Sequence, residues 1–399
     1  MTKQPIAVFA TIITRDYYRF AKVWSDSVRL FYPNAEIVIC VADTIPEKMR
    51  DSFEDVQLIQ ADEFQISGFR RMAFQYTPFE LTCALKPFLL KHLLSEHETV
   101  VYLDADTCLF HQLESIEYAL DEYDIILTPH LTKSENSGSE NRIRNAGTLN
   151  GGFLGIKKSG NSNRFIDWWS ERCRYECYID PLSGRFVDQT WLDLVPSLFE
   201  KVLVCRDESL NVAYWNLHDR GFRSPQPPFF VGTQPLGFFH FSGFRLTSPE
   251  RLTCHLTGHG QTQQIAEEGT TELVRWYAEQ LQSASITDLE QLECEFQRYH
   301  DGTLIDPFHR ETIRGRYAEA ADIHDPFGEQ GSGNIPEITD SLRCDIVLSR
   351  KHWQLEQMQQ EADRQTAWIQ KRLHRRLDKR IVEVLKRCLN RFSPKTKAA

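Results

Sequence analysis

Residues 99–110 read TVVYLDADTCLF. Thr99 to Leu103 are side chains of the kind that suit a pleated, covered surface. They run straight into Asp104 and Asp106, one residue apart, and the apolar Cys108, Leu109 and Phe110 follow. A short apolar run bounded by turn formers reads as a strand covered on both faces. Two aspartates at its end read either as turn formers or as paired ligands for a hard cation, Mn2+ or Mg2+. Such ions commonly complete their shell with substrate phosphates.

The flanking sequence decides what kind of sheet holds this strand. IAVFATIIT (6–14), EIVICVAD (36–43) and VQLIQA (56–61) read as strands before it, and DIILTPH (124–130) as one after it. Between the first two, Tyr17, Phe20, Trp24, Val28 and Phe31 recur at helical spacing. Thr77-Pro78-Phe79-Glu80 is a capped helix start, with Thr at the N-cap, Pro at N1 and Glu at N3. That helix runs to about residue 95 and feeds TVVYLDAD. Strands alternating with helices predict an α/β fold with βαβ crossovers and a mostly parallel sheet. Ligands of such sheets bind beyond the carboxyl ends of the strands, where the strand order switches. Asp43, Asp104 and Asp106 all fall at such ends.

Further along, residues 131–148 are polar and without apolar period, and read as a surface loop or a mobile lid. Helical patterns cover 161–176, 188–199 and 271–300, and residues 301–345 read as an irregular connector. Three segments result: a catalytic domain over 1–250, a helical and irregular module over 251–345, and a helical tail over 346–399.

Composition narrows the class. The chain has 399 residues, 41% hydrophobic and 26% charged, which is globular rather than disordered. No run reaches the roughly 20 apolar residues that span a bilayer. The start reads as a strand rather than a signal peptide, so a cytoplasmic location is expected, with the inner membrane face as the peripheral alternative. Ten scattered cysteines form no C-x-x-C pair and read as reduced thiols. The net charge of −10 hides an asymmetry: residues 350–399 carry 14 Lys and Arg against 5 Asp and Glu. An acidic body argues against nucleic-acid binding. In IQKRLHRRLDKRIVEVLKRCLNRF (369–392) apolar residues recur at three and four with basic ones between. Such a helix suits an anionic membrane surface, or docking on the acidic body or on a second copy of the chain.

Two chemistries place D-x-D at a strand end. A phosphatase of haloacid-dehalogenase type uses D-x-D-x-T/V on its first strand. Here Cys108 occupies the fifth position, and the strand is about the fourth. The other chemistry is sugar transfer from a nucleotide sugar. LKPFLLKHLL (85–94), VVYLDADTCLF (100–110), LNGGFLGIKK (149–158), FVDQTWLDLVP (186–196) and FFHFSG (238–243) appear in this order. As a set they resemble the GT-A-fold glycosyltransferases, nearest the glycogenin-like and lipopolysaccharide galactosyltransferase group.

The resemblance implies a GT-A fold, a Mn2+ or Mg2+ ion, a UDP-sugar donor and a glycan or lipid-linked acceptor. It implies hexosyl transfer with retention of configuration. Asp104 and Asp106 match the metal motif, with Asp104 also within reach of the donor. His240 matches a third metal ligand; its alternative is a core histidine among phenylalanines. Where the family carries a phosphate-contacting Lys, this chain has Arg245. Lys86 matches a basic residue that steadies the donor or the first Asp. Asn150, Gly151 and Gly152 match a segment where the backbone approaches the sugar. Asp188 and Gln189 match the pair facing the transferred sugar; in an inverting reaction the same Asp would act as base. Thr11, Thr14, Asp16 and Tyr17 sit where relatives hold the uracil and ribose. A non-catalytic nucleotide-sugar binder is the remaining alternative.

Overall fold

A computed structural model describes residues 3–134, 139–222, 227–255, 268–286, 289, 291–315, 320, 323–329 and 331–342. The chain divides into two compact units, Met1–Pro336 and Glu337–Ala399. Of the second, residues 337–342 are described and are helical. The basic tail helix expected over 369–392 lies outside the described residues.

The first unit is built on a seven-stranded sheet. Its strands, in chain order, are β1 (Val8–Ile13), β2 (Glu36–Val41), β3 (Gln57–Gln60), β4 (Thr99–Leu103), β6 (Ile125–Pro129), β7 (Leu149–Lys157) and Val202–Val204. A short β5 (Thr107–Leu109) follows β4 but stands outside the sheet. In space the order is Val202–Val204, β6, β7, β4, β1, β2, β3. The β1–β2, β1–β4 and β2–β3 pairings are parallel, as is that of Val202–Val204 with β6. β7 runs antiparallel to both β4 and β6. The mostly parallel α/β architecture expected from the sequence is therefore present. All six residues of β1 and all five of β4 are buried, the mark of strands covered on both faces.

Helices α1 (Tyr18–Phe31), α2 (Glu47–Ser52), α3 (Phe69–Gln75), α4 (Pro78–Glu96), α5 (Glu114–Glu122), α6 (Ser139–Ala146) and α7 (Gly160–Glu176) complete the core. α1 buries Tyr18, Ala21, Trp24 and Val28 against the sheet. After β3 the chain crosses through α4 to β4 on the other side of β1. The strand order reverses there, so the carboxyl ends of β1 and β4 frame the crevice that such sheets use for ligands.

Several stretches depart from the sequence reading, among them the helix expected over 188–199, which is two short helices, Gln189–Leu192 and Val195–Leu198, and residues 331–342 of the expected connector, which are helical. Part of the expected 131–148 loop is α6; its four residues 135–138 lie outside the described set. The helix expected over 271–300 is Glu268–Ser283. It stops before Ile286, whose backbone exchanges hydrogen bonds with the Tyr18 hydroxyl. Inside the expected connector, Pro307–Arg314 is a helix. Asp306 caps it by accepting from the Phe308 amide, with Pro307 at the first position, a start signal hidden in an Asp- and Pro-rich context.

The capping box of α4 forms as expected: Thr77 Oγ1 accepts from the Glu80 amide and Glu80 accepts from the Thr77 amide. Glu80 also accepts from the Ile179 amide and from Arg314 at 3.1 Å. One buried carboxylate thus ties α4 to α7's exit and to the Pro307–Arg314 helix. Glu80→Ala leaves the Arg314 charge and two amides without that partner. A loss of about 2–3 kcal/mol in urea unfolding is expected; an unchanged midpoint would contradict this role.

Candidate active site

β4 ends at Leu103, and the next four residues make a tight turn. Thr107 closes it, donating through both its amide and its hydroxyl to the Asp104 carbonyl. The turn redirects the chain into β5, which pairs antiparallel with Phe238–His240. In that register Phe239 faces Cys108 and His240 faces Thr107. Cys108 is therefore a buried packing residue of this ribbon. The ribbon carries His240 from some 130 residues away onto the acidic pair.

His240 Nε2 lies 3.1 Å from Asp106 Oδ1 and 4.0 Å from Asp104 Oδ2. The three ligand atoms all fall within 4.8 Å of one another. Two carboxylates and an imidazole are a donor set that can hold a divalent cation. The imidazole packs close to β7 because residue 152 is glycine: a Cβ there would stand 2.5 Å from His240 Cε1. Burial opposes the Asp106 carboxylate, but His240 outweighs it and lowers its pKa. Burial likewise opposes the imidazolium, but Asp106 outweighs it and raises the His240 pKa.

On the other side of Asp104 stands Lys86, fully interior on α4. Its ammonium is 3.1 Å from Asp104 Oδ1 and 3.2 Å from Asp188 Oδ2, and it donates to the Gly151 carbonyl at 2.8 Å. The Tyr102 hydroxyl donates to the same Asp104 oxygen. Burial works against the Lys86 charge, but Asp104 and Asp188 outweigh it and hold its pKa well above the ordinary value. Burial pushes the Asp188 carboxyl up, with Lys86 pulling the other way. Asp188 packs beneath Gly151, where a Cβ would stand 2.6 Å from its Oδ2. Gln189 Oε1 accepts from the Gly151 amide and its Nε2 donates to the Ala146 carbonyl.

Asp104, Asp106, His240, Lys86, Asp188, Gln189, Asn150, Gly151 and Gly152 thus form one connected cluster. Tyr17 joins its edge: burial, with the Asp106 and Asp104 carboxylates near, pushes its phenol well above the usual range, and it stacks on Phe20 at 4.0 Å. At the end of β1, Thr11 and Thr14 are buried, and the Thr11 hydroxyl has no hydrogen-bond partner among the described residues. Asp16 is exposed on the turn that follows, and Arg245 is exposed beyond the β5 ribbon. Asp43, at the end of β2, is structural: it accepts from the Arg15 and Glu295 amides, and burial pushes its pKa to about 6.

Several residues of the site escaped the sequence reading. His130 directly follows β6 at its carboxyl end, a position that could have flagged it; burial holds its pKa down at about 4, so the ring is neutral. Trp215 packs edge-on between His130 and His240, both centroids at 5.2 Å. His255 follows Gly243 closely in space, and burial, followed by Arg245 and His240, lowers its pKa against the pull of Asp106. Asn211 has no sequence signal at all.

No protein-family model matches the chain. It is 29% identical over 180 residues to YfnF of Bacillus subtilis (strain 168), an uncharacterized protein, an alignment taking in 42% of this chain. The chain thus spans 58% of the length of that relative. It is also similar, at 15% identity and a TM-score of 0.41, to the galactosyltransferase LgtC solved with donor and acceptor sugar analogues. That likeness covers 70% of this chain and 97% of LgtC. The glycosyltransferase GlyE of Streptococcus pneumoniae TIGR4 is similar at 14% identity and a TM-score of 0.38, over 74% of this chain and 67% of GlyE.

Two expectations follow from the geometry. A cation at His240 must displace a proton that Asp106 helps to hold, so Mn2+ affinity should rise with pH. Below the His240 pKa, binding followed by calorimetry should strengthen by up to about tenfold per pH unit; pH-independent binding would contradict His240 as a ligand. Gly152→Ala should displace the imidazole and weaken Mn2+ binding, and binding as tight as that of the unaltered protein would show that the contact is not needed.

Proposed function

We propose that this chain is a metal-dependent glycosyltransferase of the GT-A type. It moves a hexosyl unit from a nucleoside diphosphate sugar, UDP-linked, to a glycan or lipid-linked acceptor, with retention of configuration. One observation carries the reading: Asp104, Asp106 and His240 converge within 4.8 Å at the strand-order switch, beside the Lys86–Asp188 pair.

A divalent ion held by those three residues would neutralise the charge developing on the nucleoside diphosphate leaving group. The chain's own residues supply the rest. Lys86 holds one oxygen of Asp104, leaving the other turned towards His240. Its charge offsets two carboxylates that would otherwise repel each other across the buried cluster. Asp188 and Gln189 lie under the Gly151 backbone, where a carboxylate or amide oxygen steadies positive charge at the anomeric carbon of an oxocarbenium-like transition state. Tyr17 and the end of β1 border the acidic pair and suit the nucleoside. Arg245 is the exposed cation suited to the diphosphate.

The reading is tested by incubating the purified protein with a panel of UDP-sugars with and without Mn2+. Metal-dependent release of UDP is expected. Asp104→Asn or Asp106→Asn should lower turnover at least ~100-fold while the urea midpoint stays within reach of the unaltered protein. Full turnover in either folded variant would sink the metal assignment.

A further inference from the structure

Behind His240, away from the acidic pair, runs a buried chain of amides. The Gly152 amide donates to Asn150 Oδ1 at 3.0 Å. The same oxygen accepts from Asn211 Nδ2, also at 3.0 Å. Asn211 Nδ2 donates as well to the Thr128 hydroxyl, and Asn211 Oδ1 faces His240 Nδ1 at 3.1 Å. Asn150 Nδ2 meets His130 Nε2 at 3.1 Å. Asn211 is fully buried, and Asn150 nearly so.

Amide side chains and imidazoles can each be turned two ways. Here one member cannot. A backbone N–H only donates, so the Gly152 amide requires the oxygen of Asn150, not its nitrogen, on that side. An oxygen there requires the nitrogen of Asn211 opposite it. Asn211 must then present its own oxygen to His240, and an oxygen facing Nδ1 requires the proton on Nδ1. With Nδ1 protonated, Nε2 is the nitrogen that gives up the proton it shares with Asp106 and offers its lone pair when a cation binds. The orientation of each group follows from the one before, starting at the backbone of β7.

We infer that Asn211, fixed through Asn150 by the Gly152 amide, is the positioning residue that holds His240 in the tautomer able to bind a divalent cation through Nε2. This rests on the metal reading of the site above. Partners behind a ligating histidine orient the ring and set its tautomer, and their loss typically costs tens-fold in metal affinity. The backbone of Asn211 suits an asparagine: its φ is +52°, a region that asparagine and glycine enter most readily.

That conformation supplies the test, because glycine can replace Asn211 without backbone strain. Mn2+ binding is measured by calorimetry on the full chain without nucleotide, for the unaltered protein, Asn211→Gly and Asn211→Asp. Asn211→Gly should weaken Mn2+ binding about 10–100-fold. Asn211→Asp, which keeps an oxygen facing Nδ1 in either protonation state, should stay within about threefold of the unaltered protein. Equal binding by Asn211→Gly, or equal loss in both folded variants, overturns the inference and leaves the metal reading standing. An unaltered protein that binds no Mn2+ overturns both. Should Asn211→Gly fail to fold, nitrogen-15 spectra of the Mg2+-loaded protein decide. The histidine signal missing in His240→Gln should be protonated at Nδ1 and bare at Nε2, and the reverse would overturn the inference.

Discussion

The antiparallel pairing of Thr107–Leu109 with Phe238–His240 is the constraint on which the site depends. β4 alone delivers two carboxylates to the end of a covered strand. Only the ribbon that leaves β4 and returns against residues 238–240 brings an imidazole to them. Its sides are apolar: Cys108, Leu109, Phe238 and Phe239 are buried, and Phe153 stacks on Phe238 at 5.8 Å. The packing that fixes the register therefore fixes the His240–Asp106 distance. A slip of one residue would turn His240 to the other face.

Electrostatic balance is the second requirement. Asp104 and Asp106 are half-buried and Asp188 is buried beside them, and like charges gathered so closely repel one another unless cations are interleaved. Lys86 and His240 answer them from opposite sides. The arrangement leaves each acid with a defined face: one oxygen of Asp104 tied back to Tyr102 and Lys86, the other directed at the imidazole. A cluster of this kind can hold a divalent cation between Asp104, Asp106 and His240.

Much of this was legible in the sequence, and the reasons are local. Strands 6–14, 36–43 and 99–103 announce themselves by apolar runs, and α4 by Thr77-Pro78 and Glu80, because burial on both faces and capping are written in adjacent residues. Asp104 and Asp106 were visible because a strand end is a positional statement. His240 entered by resemblance, since its meeting with Asp106 depends on a pairing across more than a hundred residues. Asn211 and His255 left no trace: their roles come from what surrounds them in space. The helix at Pro307–Arg314 was missed for another reason, an N-cap aspartate followed by proline being equally a turn signal.

The central claim is that the β5 ribbon completes a cation site at the switch point of the sheet. An anomalous difference map from crystals soaked in Mn2+ and UDP tests it most directly. One strong peak is expected, within about 2.0–2.3 Å of an oxygen of Asp106 and of His240 Nε2, with Asp104 in the same shell. A peak elsewhere, or a nucleotide bound with His240 still hydrogen-bonded to Asp106 and no metal between them, would contradict it.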